Sequence, residues 1–304
     1  MLFVLPFLVM AIAFLSGYFS LESLQSVQVK GVINMAYINQ LDKSWLSAIG
    51  FVMVLGVAYL IFFLSERFKL LGQTTTLPSL IYILLTSGIM VNVGFDYLLI
   101  AVFIVTVAVW KLQMAINDTK SNGALYDFGF LIALSVAIYP KFILLIAWAF
   151  GVLFFSGRST LKDIVALWLG ILTPVLFIAF YYFWTDRLEL LPAIFTDNLM
   201  VGEHIHRLPV MIVLVLIIAL TNLSARYSLM IVNQRRGILS LVSMMIFLSL
   251  TFVIIPGNYY DFMYMFAVPL SFLYAQYFIC CRTALFSNLV FVLLLAACFL
   301  TYLV

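Results

Sequence analysis

The stretch LYDFGFLIALSVAIYPKFILLIAWAFGVLFFSGRSTLKDIVALWLGILTPVLFIAFYYFWTD, residues 125–186, decides the fold. Three apolar runs, 124–139, 142–156 and 164–184, are broken only by Pro140-Lys141 and by the polar group from Gly157 to Asp163. A transmembrane β-strand would alternate apolar and polar residues over about ten positions. These runs do not alternate; they are continuous. In lipid every backbone N–H and C=O must be satisfied inside the segment, and a helix does that. The stretch therefore reads as helices crossing a hydrocarbon layer, joined by tight turns.

The rest of the chain agrees. Of 304 residues, 66% are hydrophobic, 16% aromatic and 9% charged. A soluble domain is about 25% charged, so a water-soluble globule is excluded. The mean hydropathy of +1.22 points the same way. The net charge of +3 is small and dispersed, which gives no footing for a nucleic-acid partner. Cys280, Cys281 and Cys298 lie in apolar runs without CxxC spacing, as buried thiols do. Leu2 to Phe19 is apolar, but no Lys or Arg precedes it, so it reads as a retained first span rather than a signal peptide.

A hydrocarbon core of about 30 Å takes about 20 helical residues. Eleven apolar segments fit: 2–20, 45–65, 77–91, 97–112, 124–139, 142–156, 164–184, 210–223, 238–256, 262–281 and 285–304. The expected fold is all-α: one integral membrane domain over 1–304 with 9–11 transmembrane segments. The range reflects two short pairs, 77–112 and 124–156, which are either full spans or re-entrant hairpins. Loops after even-numbered segments, with their flanks, carry ten bases and four acids, net +6. Loops after odd-numbered segments carry five bases and eight acids, net −3. The positive-inside rule then places the even loops and the N-terminus in the cytoplasm. The odd loops then lie on the outer face.

Both long loops fall on the outer face. Loop 21–44, LESLQSVQVKGVINMAYINQLDKS, has apolar residues at three- and four-residue spacing, which fits an interfacial helix. Its acids, Glu22 and Asp42, are candidates for a general base or a divalent-cation ligand, and otherwise plain helix-flanking charges. Loop 185–209 carries Arg187, His204, His206 and Arg207, which suit an anionic lipid headgroup or simple contact with water. His204 and His206 form an HxH, but no third ligand completes a metal set, so no cofactor is assigned. Lys141, in the turn after Pro140, either snorkels to the interface or holds a lipid phosphate. Asp261 follows Asn258-Tyr259-Tyr260 and reads as a helix cap beside an aromatic belt. No ionisable group sits at mid-span, where polarity is limited to residues such as Ser87, Thr106, Ser135, Thr173 and Ser243. That disfavours transport by a charge relay.

Leu77-Pro78, Tyr82, Phe128-Gly129, Tyr139-Pro140, Gly170, Pro174 and Tyr181-Tyr182-Phe183 match the pattern of a family of uncharacterised multispanning inner-membrane proteins of Bacteroides-type bacteria. The chain resembles that family mainly between about residues 50 and 190. A weaker similarity is to the GT-C scaffold of polyprenyl-phosphate-sugar glycosyltransferases. It rests on Gly129 to Leu134 leading into Pro140-Lys141, and on Tyr260 to Pro269. The first loop departs from that scaffold, since it holds Glu22 and Asp42 twenty residues apart instead of paired acids.

Three readings of function follow. The first is a non-catalytic subunit or scaffold for cell-envelope assembly, with other membrane proteins as partners. The second is a GT-C-like transferase at the outer face, with polyprenyl-phosphate sugar as donor. The resemblance then implies Glu22 or Asp42 as base, with Lys141 and Arg187 or Arg207 on the lipid phosphate. The third is a lipid or small-molecule transporter. All three share the bilayer as solvent. Association of the helices should rest on small residues, with Gly50, Gly56, Gly151 and Gly170 with Thr173 as contact points. Pro140, Pro174 and Pro269 should end or kink helices.

Overall fold

A computed structural model describes residues 43–93, 97–118, 121–189, 192, 196, 199, 210–227, 230–255, 259–281 and 284–303. Among them there is helix and no strand. In chain order the helices are α1 (Lys43–Phe68), α2 (Leu77–Val93), α3 (Tyr97–Asn117) and α4 (Asn122–Ile138), then a 3-10 turn at Pro140–Ile143. They continue as α5 (Leu144–Ser156), α6 (Leu161–Trp184), α7 (Val210–Arg226), α8 (Val232–Ile254), α9 (Tyr259–Cys280) and α10 (Ala284–Leu303). Segment 2–20, and with it nearly all of loop 21–44, lies outside the described residues.

Five stretches are long and apolar enough to cross a membrane: Ala48–Phe68, Tyr97–Asn117, Leu161–Trp184, Val232–Ile254 and Met263–Cys280. The short pairs behave differently from one another. α3 runs to Asn117, past the apolar limit at 112, so it reaches full spanning length. α4 has 17 residues and α5 13, so each covers about 20–25 Å at 1.5 Å per residue. α8 likewise begins six residues before the apolar segment, taking in Asn233-Gln234-Arg235-Arg236. Polar side chains do not stop a helix whose first turn lies at the surface, because its backbone bonds are internal.

The prolines divide by context. Pro140 ends α4, and Tyr139 before it is extended at φ −131°, as the clash with a following proline ring demands. Pro174 and Pro269 lie inside α6 and α9, which run on past them. In lipid, breaking the helix would expose several backbone groups, whereas continuing it gives up one hydrogen bond.

α9 is central: 83% of its apolar window is buried, and it packs against α2, α7 and α8. α6 is peripheral: 22% of its window is buried, and its main contact is with α4. That contact is made by two glycines facing each other. A Cβ on Gly129 would lie 2.6 Å from the Leu167 carbonyl oxygen, and one on Gly170 would collide with the Tyr126 carbonyl oxygen. The Tyr126 hydroxyl and Thr173 Oγ1, 3.0 Å apart, hydrogen-bond across the same seam. Gly170 and Thr173 thus act as contact points, with Gly129 as a partner that the sequence did not mark as one. Gly56 packs against Phe103 and Gly151 against Phe247, both less tightly.

The mid-span hydroxyls of Ser87, Thr106, Ser135 and Ser243 are satisfied within their own helices. Ser87 donates to Leu84 O, Thr106 to Val102 O, Ser135 to Ile132 O and Ser243 to Ser240 O. Ser243 also accepts from Trp148 Nε1 at 3.0 Å, tying α5 to α8. Trp148 is fully buried, edge-on to Phe128 at 5.5 Å between ring centroids. Trp148→Phe should cost about 1 kcal/mol for the lost hydrogen bond, more if Ser243 is left dry. Thermal unfolding of the purified protein in detergent checks this.

Candidate functional site

Polar side chains gather at the two ends of the bundle. At one end the chain turns on Pro140. The single 3-10 turn Pro140–Ile143 reverses the path between α4 and α5, and Lys141 points inward from it. α9 starts at Tyr259, with Asp261 in its first turn, where the helix dipole favours a carboxylate. The two elements meet at one oxygen. Asp261 Oδ2 accepts the Tyr139 hydroxyl at 2.7 Å and the Lys141 ammonium at 3.3 Å. The ammonium also lies 5.9 Å from the Tyr139 ring centroid, in cation–π range. The side chains of Lys141 and Asp261 are 5% and 11% exposed, so water screens the pair little. Phe142 packs edge-on against Tyr139 at 5.4 Å and closes the cluster.

Chemically, this is a charge-assisted hydrogen-bond cluster joining positions 120 residues apart. Each charge needs the other, because an isolated ion at this depth is costly. The arrangement fixes the α4–α5 turn onto the start of α9.

At the opposite end four pieces of chain meet: the turns after α1, α3 and α5, and the start of α8. Gln234 Nε2 donates to Lys69 O at 3.3 Å, and Asn233 Nδ2 to Asn117 Oδ1 at 3.2 Å. Arg158 Nη2 donates to Ser121 O at 3.1 Å, and its Nε lies 3.8 Å from Asp163 Oδ1. Thr160 caps α6: its Oγ1 accepts from Asp163 N at 3.3 Å and donates to Asp163 Oδ2 at 2.7 Å. Thr160→Val should therefore cost about 1 kcal/mol. A thermal melt set beside Thr185→Val, a change at the other end of α6, isolates the cap. Lys111 and Asp127 form a more exposed pair at 2.7 Å.

The candidate residues from the sequence fare unevenly. Lys141 does not snorkel; it is buried on Asp261, since the 3-10 turn aims it into the bundle. Asp261, read as a cap, lies instead inside the first turn of α9, which begins two residues earlier at Tyr259, and its carboxylate is engaged with Tyr139 and Lys141. Arg187 is exposed just beyond α6, its backbone N–H bonded to Tyr182 O. Glu22, Asp42, His204, His206 and Arg207 lie outside the described residues. Among the described residues no three His, Cys, Asp or Glu side chains gather as metal ligands do. The signal that was available for the cluster is modest: Lys141 and Asp261 are the opposite charges in two short connections between apolar segments.

Long apolar helices, closed at one end by a buried ion pair, describe a helical membrane protein. The chain belongs to a family of unknown function, DUF6427, whose family model matches residues 14–304. No curated protein and no solved structure matches it.

Proposed function

We propose that this protein is a non-catalytic subunit or scaffold of cell-envelope assembly in the bacterial inner membrane. It crosses the membrane about eleven times, with the N-terminus and the basic turns after α1, α3 and α5 in the cytoplasm. The observation that carries the reading is the state of Lys141. A transferase would use this cation to hold a lipid phosphate at the outer face. Here its charge is met inside the protein by Asp261 and Tyr139, which is what a bracing element requires. The peripheral, mostly unburied α6 offers a lateral apolar face to lipid or to a membrane partner.

Full-length protein purified from its native membrane in mild detergent tests this. The expected result is a complex of fixed stoichiometry with one or more envelope proteins. A strictly monomeric particle carrying a polyprenyl lipid would sink the proposal.

The second reading is a GT-C-like transferase, favoured by the α4–α5 hairpin with Pro140-Lys141 at its tip, similar to that scaffold's central motif. Glu22 or Asp42 would then serve as base, with or without a divalent cation, and Arg187, Arg207, His204 or His206 would meet the donor phosphate. Transfer of sugar from a polyprenyl-phosphate donor, abolished in a Glu22→Ala/Asp42→Ala double variant, would put this reading first.

A further inference from the structure

Arg236, in the first turns of α8, has an unusual setting. Its guanidinium packs against the turn after α5, with Nη2 3.0 Å from the point where a Cβ on Gly157 would sit. Gly157 is left-handed at φ +73°, so both backbone and space call for glycine there. The next residue, Arg158, brings a second guanidinium to the same turn. Arg158 is occupied: it bonds Ser121 O and faces Asp163. Arg235, the other neighbour, bonds Met230 O at 2.7 Å and lies over the Tyr227 ring. Arg236 is half-buried, yet among the described residues it makes no ion pair or side-chain hydrogen bond. Arg158, Lys162 and Arg236 set three bases against the single carboxylate of Asp163, so this turn carries an excess of positive charge.

The surroundings say what would meet that charge. Gly157, Ser159 and Thr160 are exposed, so the turn is open to an incoming group. On its membrane side it is bordered by exposed apolar residues of α5 and α6: Phe154, Phe155, Leu161, Val165 and Trp168. A guanidinium matches a phosphate with two parallel hydrogen bonds. Apolar helix surface directly beside it suits acyl chains. The turn belongs to the basic face that the charge count assigns to the cytoplasm, where the leaflet is rich in anionic lipid.

We infer that Arg236, seated on Gly157 beside Arg158, is a binding site for the phosphate of an anionic phospholipid. The acyl chains of the lipid lie along the exposed faces of α5 and α6. The inference rests on the chain spanning a membrane and is independent of the scaffold assignment.

The experiment uses delipidated full-length protein in a neutral detergent. Thermal unfolding is followed with added phosphatidylglycerol, phosphatidylcholine or inorganic phosphate. Phosphatidylglycerol is expected to raise the midpoint by several degrees, and the other two to leave it nearly unchanged. Arg236→Gln should remove at least half of that rise, while Arg236→Lys keeps part of it. Equal rises in wild type and Arg236→Gln overturn the site. Protection by inorganic phosphate equal to that by phosphatidylglycerol overturns the lipid as its source. Should Arg236→Gln not fold, native mass spectrometry from equal mixtures of the two lipids decides with Arg236→Lys. Preferential retention of phosphatidylglycerol, reduced in Arg236→Lys, supports the site; no preference in wild type overturns it.

Discussion

Asp261→Leu is expected to destabilise the protein by about 3–5 kcal/mol, the usual cost of leaving one charge of a buried pair unmet. That is a large part of the total stability of a typical domain. The variant strands the Lys141 ammonium, whose side chain is only 5% exposed, and leaves the Tyr139 hydroxyl without its carboxylate. Lys141→Met should cost less, because the Tyr139 hydroxyl still donates to Asp261. The double variant Lys141→Met/Asp261→Leu should recover much of the loss, since an apolar pair of similar size replaces the ions. Unfolding of all four proteins in detergent gives a double-mutant cycle. A coupling energy of at least about 1 kcal/mol is expected. Strictly additive losses would mean that the two side chains do not meet. The cycle also bears on function: a brace predicts loss of stability, and with it loss of the purified complex, from either single change.

Gly170→Leu is the second large effect. In lipid the hydrophobic effect does not drive helices together, and close backbone approach does. At this seam the obstacle to any side chain is backbone: the Tyr126 carbonyl oxygen and, at 3.0 Å, Phe130 N. Neither moves as a flexible side chain does. Overpacking costs about 1–3 kcal/mol, occasionally more, and a leucine here belongs at the upper end. It should also break the Tyr126–Thr173 hydrogen bond that the approach permits. Gly129→Leu should behave alike, since it meets Leu167 O from the other side. Gly123→Ala is the control: it lies on α4, a Cβ there meets nothing within 4 Å, and the melt should shift little. Gly170→Leu melting at the wild-type temperature would refute the packing of α4 on α6.

Much of the fold was legible in the sequence. Each described helix falls on an apolar segment read from residues alone, because insertion into hydrocarbon depends on composition and length. The ends were less legible. α3 runs on from Gln113 to Asn117 and α8 starts early, taking in Asn233 to Arg236, where polar residues neither stop a helix nor betray it. The candidate site was legible only in part. Lys141 stood out as a lone charge in a tight turn, but its partner was read as a cap.

The sequence by itself determined the class of protein, its helical character and the uneven charge of its two sets of loops. These are additive properties of local composition, which lipid and water sort segment by segment. Tertiary structure alone decided that Lys141 turns inward onto Asp261, that Gly129 faces Gly170, and that Arg236 rests on Gly157. Such pairings join positions far apart in the chain. They are set by which helices pack together and at what rotation, and a single sequence's periodicity is silent on both when a helix is apolar all round.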